Sequence, residues 1–342
     1  MKVRTIINLA VGLFLITNIV FAEIVPLPNI MNPDIIEING HDMVLAEGAS
    51  ISIYSLKDFK LIKKFGEQGE GPQEFKVLPM VASLEVKILP EYIVINSIGK
   101  VSTFTREGQF IKEKKITDMA RMIPFQEKFV GVQFTSGQNN GGPEMAFNIY
   151  DSQGKKIKSI CTHKLPILKG KGTTTLLDLL SQVNPQYKTS RDRIFIAGKQ
   201  IFEIDIYDQE GNFLKSIKRE IKKQKLTGDD REKLLQAYKI HPLYKLFWER
   251  IKEAVKIPDY LPVFKTFLVS DEKVYVQTFN KSNDKTEFLI FDLEGKFIKS
   301  AFLPLVYENI VTPYLYTISR GKIYQLSENE DEEWELQISG IE

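Results

Sequence analysis

The chain is built from short segments in which apolar and polar residues alternate, and one longer phrase recurs along it. The phrase has an apolar strand ending in an aromatic residue, a polar turn with glycine four residues later, and a strand of apolar and basic residues. Period-two alternation on both sides of a short turn predicts a β-hairpin. The complete copies are Phe104–Lys112, Tyr150–Ile160, Tyr207–Ile217 and Phe291–Ser300.

Two further copies are degenerate. Tyr54–Asp58 has Asp58 in place of the glycine, and aspartate is one of the few other residues that tolerate a left-handed turn. Leu336–Gly340 keeps the spacing but has Leu336 in place of the aromatic residue. Six copies are therefore expected along the chain.

The spacing of the copies predicts the architecture. Their first residues are separated by 50, 46, 57, 84 and 45 positions, and a strand precedes each phrase, in most cases with another short strand before it. Four strands per repeat of roughly 40–50 residues are typical of a β-propeller. Helical solenoids are excluded because the segments have period two and are rich in Ile, Val, Phe and Tyr. The predicted fold is all-β, a six-bladed β-propeller of four-stranded antiparallel blades.

The two ends of the chain predict how the ring closes. Trp334–Ile338 corresponds to the third strand of the last blade, and only four residues follow it. Glu23–Leu27 is a short apolar segment without a blade of its own. We therefore expect residues 23–28 to pair beside residues 333–339 as the outer strand of the sixth blade, which leaves no open edge in the ring. Pro26 is compatible with an outermost strand.

The first 22 residues have the pattern of a signal peptide. Lys2 and Arg4 precede the apolar stretch Ile6–Val20, and Ala22 supplies a small residue for cleavage before Glu23. A membrane anchor is the alternative, but the apolar run is shorter than the ~20 residues that a spanning helix needs. We expect a secreted or periplasmic protein with cleavage after Ala22, a single domain at residues 23–342 and no membrane span in the mature chain.

The charge of the chain narrows its possible partners, and its cysteine content narrows the possible sources of its stability. The full chain has 46 Lys and Arg against 44 Asp and Glu, and residues 1–22 carry two of the basic residues and no acidic one. The mature chain is thus expected to be neutral, without the basic excess that nucleic-acid binding requires. Cys161 is the only cysteine and cannot form an internal disulfide, so stability must come from core burial. We expect a monomer that binds no nucleic acid.

The segment after the first phrase carries a family resemblance. Phe65–Phe75 is similar to the glycine-rich inter-blade linker of NHL-type and TolB-like propellers, and most similar to that of the secreted "6-bladed β-propeller" family common in bacteria. Pro79 matches a later proline of that pattern, and Gln73 stands where the pattern usually has glycine. The resemblance implies the fold and export, and it implies no single activity. The matching linker residues are Gly66, Gly69, Gly71, Pro72, Glu74 and Phe75.

The linker is interpreted as structural. Its glycines permit turns with positive φ, and Pro72 fixes the path into the following strand. A phosphate cradle is the alternative, but the Gly-Lys-Ser/Thr ending of a P-loop is absent.

Two connections between blades are longer than the rest. The excess in the longer connection lies at residues 218–262, where the pattern becomes helical, with an N-cap at Thr227 and a second helix around Leu243–Val255. The smaller excess covers residues 161–190. In a propeller these connections share one face with the loops between second and third strands, and loops over a rigid framework commonly carry function.

That face is the candidate binding surface, with the 218–262 insertion as a lid or docking element. The alternative is that the apolar side of the insertion only covers the mouth of the propeller. The candidate binding residues are His241, Tyr244, Phe247 and Trp248.

Catalytic patterns are absent from the sequence. His41, His163 and His241 do not have the spacing of metal ligands, and no Gly-x-Ser-x-Gly motif occurs. The acidic run Glu328–Glu333 lacks the Asp/Gly arrangement of a calcium loop and is interpreted as a solvated hairpin tip. We assign no catalytic residue, metal ligand or cofactor.

Two functions remain open, and a third, partnership with an outer-membrane uptake or signalling system, cannot be separated from the first by sequence. The first is an exported binding or scaffold module for a peptide, protein or glycan, acting through the face that bears the insertion. The alternative is a lactonase-like hydrolase or lyase that uses carboxylates at the channel mouth with a divalent metal. Convergence of three or more Asp, Glu, Asn or His side chains at the mouth would favour the enzyme, whereas a channel filled by apolar side chains would exclude it.

Overall fold

The structure is a computed structural model, and the expected signal segment, residues 1–22, lies outside the part of the chain that it describes. The described residues are 23–77, 84–116, 120–135, 142–165, 174–175, 186–198, 202–240, 245, 248–253, 255–309 and 312–341.

The first half of the chain forms three antiparallel blades. The described part of the chain begins with β1 (Glu23–Pro26). Blade 1 contains β2 (Ile35–Asn39), β3 (Asp42–Glu47), β4 (Ser50–Ser55) and β5 (Leu61–Phe65). A short parallel pair follows, β6 (Glu67–Gln68) and β7 (Glu74–Phe75). Blade 2 contains β8 (Glu85–Ile88), β9 (Tyr92–Ser97), β10 (Lys100–Thr105) and β11 (Phe110–Lys115). Blade 3 contains β12 (Arg121–Phe125), β13 (Lys128–Thr135), β14 (Glu144–Tyr150) and β15 (Lys156–Lys164).

The second half forms the other three blades and the helical insertion. After β16 (Thr174–Thr175), blade 4 contains β17 (Tyr187–Ser190), β18 (Arg193–Ala197), β19 (Glu203–Tyr207) and β20 (Phe213–Lys218). The insertion contains α1 (Gly228–Ile240), α2 (Trp248–Ile251) and β21 (Val255–Lys256). Blade 5 contains β22 (Thr266–Ser270), β23 (Lys273–Ser282), β24 (Lys285–Asp292) and β25 (Phe297–Pro304). Blade 6 contains β26 (Tyr316–Ser319), β27 (Lys322–Glu328) and β28 (Trp334–Gly340).

The predicted architecture is confirmed: six four-stranded antiparallel sheets, each with its strands in chain order except where β1 completes the last one. The hydrophobic core lies between the blades, with one apolar cluster at each of the six interfaces. At the interface of blades 6 and 1, for example, Ile36 and Ile38 pack with Tyr324 and Leu326. The clusters at the other five interfaces join blades 1–2, 2–3, 3–4, 4–5 and 5–6.

The glycine of the recurring phrase has two physical roles. In the four complete copies it has a positive φ, between 72° and 79°, which L side chains rarely adopt. It also touches the preceding blade: a Cβ on Gly108 would lie 2.9 Å from Cγ of Lys63, and one on Gly295 would lie 2.9 Å from Cγ1 of Ile217. A side chain at this position would therefore separate neighbouring blades.

The degenerate copies differ from their expected conformations. In blade 1 the left-handed residue is Phe59 (φ 55°), so the assignment of that conformation to Asp58 was wrong by one position. The turn closes through the backbone N–H of Ser55, which donates to the Lys60 carbonyl oxygen at 3.0 Å. In blade 6, Gly340 lies inside β28 and pairs with Lys322, because β1 rather than a following hairpin strand completes the sheet.

The ring closes as the sequence predicts. β1 pairs antiparallel with β28, from Glu23 opposite Ile338 to Pro26 opposite Glu335. The backbone N–H of Leu27 donates to the Trp334 carbonyl oxygen at 2.8 Å, and the Leu27 side chain is buried between blades 6 and 1. The first and last parts of the chain therefore hold each other in one sheet.

Within the described ranges, no helix is long and apolar enough to cross a membrane.

Removal of residues 23–28 from the mature chain is expected to destabilise the ring. It leaves the edge of β28 unpaired and removes the buried Leu27, whose truncation to alanine alone would cost about 2–5 kcal/mol. Urea unfolding of chains 23–342 and 29–342 measures the difference. Met31→Ala is the matched control, since this side chain is 84% exposed and should change stability by less than about 0.5 kcal/mol. Equal stability of the two chains would contradict closure by β1.

Candidate functional site

The 218–262 insertion leaves and re-enters the ring through a paired stem. Lys225 forms an antiparallel bridge with Tyr260. The backbone N–H of Leu226 donates to the Asp259 carbonyl oxygen, and that of Leu261 donates to the Gln224 carbonyl oxygen, both at 2.9 Å. Leu226 and Leu261 are buried. The two ends of the insertion are therefore fixed side by side.

The first helix of the insertion begins with the predicted N-cap. The backbone N–H of Asp230 donates to Oγ1 of Thr227 at 3.1 Å, and the backbone N–H of Thr227 donates to Oδ2 of Asp230 at 3.0 Å. These reciprocal bonds form a capping box. The hydrogen bonds from Thr227 lower the pKa of Asp230. Leu234 and Tyr238, four residues apart, are buried on one side of α1.

The second helix is only partly described. α2 covers Trp248–Ile251, and the expected extension of this helix to Val255 was wrong, because Val255 belongs to β21. Trp248 is half-buried. The candidate binding residues His241, Tyr244 and Phe247 lie outside the described residues, so the four candidates remain a prediction.

The two long connections meet. Thr174 pairs with Val255 and Thr175 with Lys256 in a parallel ladder, β16 with β21. One strand belongs to the connection between blades 3 and 4 and the other to the connection between blades 4 and 5, so the insertions on both sides of blade 4 form one structure. This contact could not be predicted from the sequence, since two paired residues leave no periodic pattern.

The connections and the second-to-third-strand loops lie on one face of the ring, here called the insertion face. The acidic run Glu328–Glu333 is on this face, between β27 and β28. Its tip is held by Asn329, whose Oδ1 accepts the backbone N–H of Asp331 at 3.0 Å and that of Glu333 at 2.9 Å. The run therefore forms a hairpin tip stabilised by its own side chain.

The innermost strands place charged residues around the axis of the ring. Glu37 and Lys87, on β2 and β8, form an ion pair with Nζ and Oε1 at 2.7 Å. Glu85 and Arg121 are the first residues of β8 and β12, and Lys188 is the second residue of β17, so these three lie at the insertion-face end of the channel. Burial raises the pKa of Glu85, while the charges of Lys188 and Arg121 act in the opposite direction.

The described residues at this end of the channel therefore include several charged side chains. Among the residues that the structure describes, no three His, Cys, Asp or Glu side chains are placed to hold a metal ion. Of the histidines in that part of the chain, His163 packs edge-on against Phe147, with ring centroids 5.1 Å apart, and His41 lies in the hairpin between β2 and β3.

The glycine-rich linker is folded around the side chain of Glu74. Oε2 of Glu74 accepts the backbone N–H of Gly71 at 2.7 Å, and a Cβ on Gly71 would lie 2.9 Å from the Glu74 carboxyl. Gly66 has φ 89°, and a Cβ there would be 2.7 Å from the ring of Phe75, which is fully buried between blades 1 and 2. These contacts explain why glycines, Glu74 and Phe75 occur together.

A buried lysine fixes the linker to blade 2. Nζ of Lys100 donates to the Gly71 carbonyl oxygen at 2.7 Å and to Oε2 of Glu113 at 2.8 Å. Gln73, which stands where the family pattern usually has glycine, has φ 63° and so lies in the left-handed region. The usual glycine is therefore explained by backbone conformation.

Comparison with known proteins supports the fold. The chain is similar to a protein of Bacteroides fragilis that is thought to be exported, with a TM-score of 0.57 and 12% identity over 95% of this chain and 96% of that chain. A looser likeness links it to the β-propeller domain of Cps50 (Swd1) from Myceliophteria thermophila, with a TM-score of 0.41 and 12% identity over 93% and 99% of the two chains. No family model and no curated protein matches the sequence.

Gln73→Gly is expected to stabilise the protein. A left-handed conformation costs a non-glycine residue about 1–2 kcal/mol, and the greater freedom of glycine in the unfolded chain offsets about 0.4–1 kcal/mol of that gain. The free energy of unfolding should rise by about 0.5–1 kcal/mol in urea titration. Gln73→Ala is the control and should bring no gain, since it keeps the backbone cost. A loss of stability in the glycine variant would contradict the explanation.

The N-cap of α1 should make the insertion sensitive to acid. Thr227→Ala should destabilise the helix by about 1 kcal/mol at pH 7. Because the pKa of Asp230 is lowered by folding, its contribution is complete above its ordinary value of 3.8 and is lost as the pH falls through the folded value.

Amide hydrogen exchange of α1 from pH 7 to pH 3 tests this account. The difference between the native chain and Thr227→Ala should be largest at neutral pH and should shrink below about pH 4. A difference that grows as the pH falls would contradict a stabilising role of the ionised Asp230 carboxylate.

Proposed function

We propose that the protein is an exported binding module that recognises a peptide, protein or glycan through its insertion face. The observation that carries the proposal is the pairing of β16 with β21, which joins the two insertions that flank blade 4. A ring of six blades is a rigid framework, and additions confined to one side of such a framework are where binding commonly evolves.

Export is supported by three observations of different kinds. Residues 1–22 have a basic start, an apolar stretch and small residues at the cleavage point. The similar protein from Bacteroides fragilis is thought to be exported. The linker Phe65–Phe75 adds its resemblance to secreted bacterial propellers of the NHL-like kind.

The charge of the insertion favours an acidic partner. Residues 218–262 contain 12 Lys and Arg against seven Asp and Glu, so the remainder of a neutral mature chain carries the opposite excess. Asp259 illustrates this local imbalance: it is paired with Arg231, and its pKa is lowered first by the hydrogen bond and charge of Arg231 and then by Lys225 and Lys256. Lys222 and Lys223 are exposed in the same segment. A partner with acidic groups would be attracted to residues 218–262.

The paired stem allows the insertion to be removed, which tests whether the insertion is needed for binding. Leu226 and Asp259 lie opposite each other, so residues 227–258 can be replaced by an Asn-Gly turn that closes the stem as a two-residue hairpin. The ring should remain folded, as judged by circular dichroism and cooperative unfolding, and should lose its binding partners.

Binding is measured by probing glycan and peptide arrays, and envelope extracts of the source cells, with both mature chains at equal concentration. Trp248→Ala should weaken the same interactions, whereas Phe213→Ala, an exposed residue on the outer rim of blade 4, should leave them unchanged. Full binding by the chain without the insertion would refute the proposal.

A further inference from the structure

Lys265 occupies an unusual position at the mouth of the ring. It directly precedes β22, where the 218–262 insertion returns to blade 5, and its backbone N–H donates to the Gln277 carbonyl oxygen at 2.8 Å. The residue keeps some access to solvent but is surrounded by protein atoms, and this burial lowers the pKa of its ammonium group to about 8.

The ammonium group of Lys265 lacks a counter-charge in the part of the chain that the structure describes. The ion pairs there include other lysines of the ring, such as Lys100 with Glu113 and Lys87 with Glu37, but none includes Lys265. A buried ammonium without a partner is unfavourable, and proteins retain such groups mainly at functional sites.

A second unsatisfied group lies beside it. Nε2 of Gln186 donates to the Lys265 carbonyl oxygen at 2.8 Å, and Gln186 is the residue at which the connection from blade 3 returns to the ring. The amide oxygen of Gln186 is buried and accepts no hydrogen bond from any described residue. A buried acceptor without a donor costs free energy comparable to a lost hydrogen bond.

Two further cations lie at this end of the channel. Arg121 and Lys188 stand at the start of the inner strands of blades 3 and 4, and the hydroxyl of Tyr187 donates to the Arg121 carbonyl oxygen at 3.0 Å. Glu85 lies at the same level, where burial raises its pKa and the charges of Lys188 and Arg121 act in the opposite direction. Together with Lys265, three consecutive blades each contribute a cation to this end of the channel.

We propose that the mouth of the ring binds a small carboxylate-bearing molecule, whose anionic group pairs with Lys265, Arg121 and Lys188 and whose neighbouring O–H or N–H donates to Gln186. The ligand supplies the two partners that the protein lacks: a negative charge for the ammonium and a donor for the amide oxygen. An acidic sugar has both groups adjacent to each other. This site is separate from the macromolecular surface in the proposed function and stands even if the insertions bind nothing.

The proposal is tested by titrating the mature chain with glucuronate, with glucose as the neutral match and acetate as a carboxylate without an O–H or N–H donor, using calorimetry and thermal unfolding. We expect glucuronate to bind and stabilise, glucose to do neither, and acetate to bind more weakly. Acetate binding as tight as that of glucuronate would overturn the role of Gln186, and no response to either anion would overturn the site.

Variants locate the binding. Lys265→Met should raise the melting temperature of the free protein, because it removes an uncompensated charge. It should also weaken the binding of glucuronate about tenfold or more, because a charge-assisted hydrogen bond is lost. Lys188→Gln changes an exposed residue and should also weaken glucuronate binding. This variant replaces Lys265→Met as the test if Lys265→Met does not fold. Lys222→Met is the matched control outside the mouth and should leave the response unchanged. An equal response to glucuronate in all four proteins would overturn the proposal.

Discussion

A four-stranded sheet that is apolar on both faces is stable only when another sheet covers each face, and every blade of this protein is of that kind. Val44 and Ala46 of blade 1 pack toward blade 2, while Met43 and Leu45 of the same strand pack toward blade 6. The six apolar clusters therefore lie between blades, and the one between blades 6 and 1 forms only when the ring is closed. Pairing of β1 with β28 makes that closure part of a sheet, so the termini hold the whole arrangement together.

Neighbouring blades approach each other closely, and this constrains which residue can occupy the turn of the recurring phrase. The turn glycine of the recurring phrase has a left-handed backbone conformation. It also lies against the preceding blade, as Gly211 does against Ile149 and Ile160. Glycine satisfies both demands, since it has no Cβ to collide and no preference against positive φ. This packing explains why the phrase recurs along the sequence.

Once the ring is rigid, additions to it can be confined to one place. The two insertions flank blade 4, pair through β16 and β21, and return to the ring at Gln186 and Lys265, which are hydrogen-bonded to each other. The same region combines an excess of basic residues with two buried groups that the described chain leaves without partners. Those features are the basis of the two binding proposals, because proteins tend to break local stability rules at functional sites.

Repetition explains what could be predicted from the sequence and what could not. Six phrases at blade spacing were sufficient for the blades and for closure at Glu23, because period-two alternation is a strong signal. Non-repeated features were missed or misplaced: Val255 fits a helical pattern but pairs as a strand, and Lys265 resembles any surface lysine until the fold buries it. The left-handed Gln73 was visible only as a departure from a family pattern, and its φ gives the reason.

The central claim is that the two insertions form one structure on the insertion face. Amide hydrogen exchange at Thr174 and Thr175 tests it directly, in the mature chain and in the chain whose residues 227–258 are replaced by Asn-Gly. Because these residues pair with Val255 and Lys256, their exchange should be slow in the mature chain and should become fast when the partner strand is removed. Unchanged exchange in the shortened chain would contradict the account.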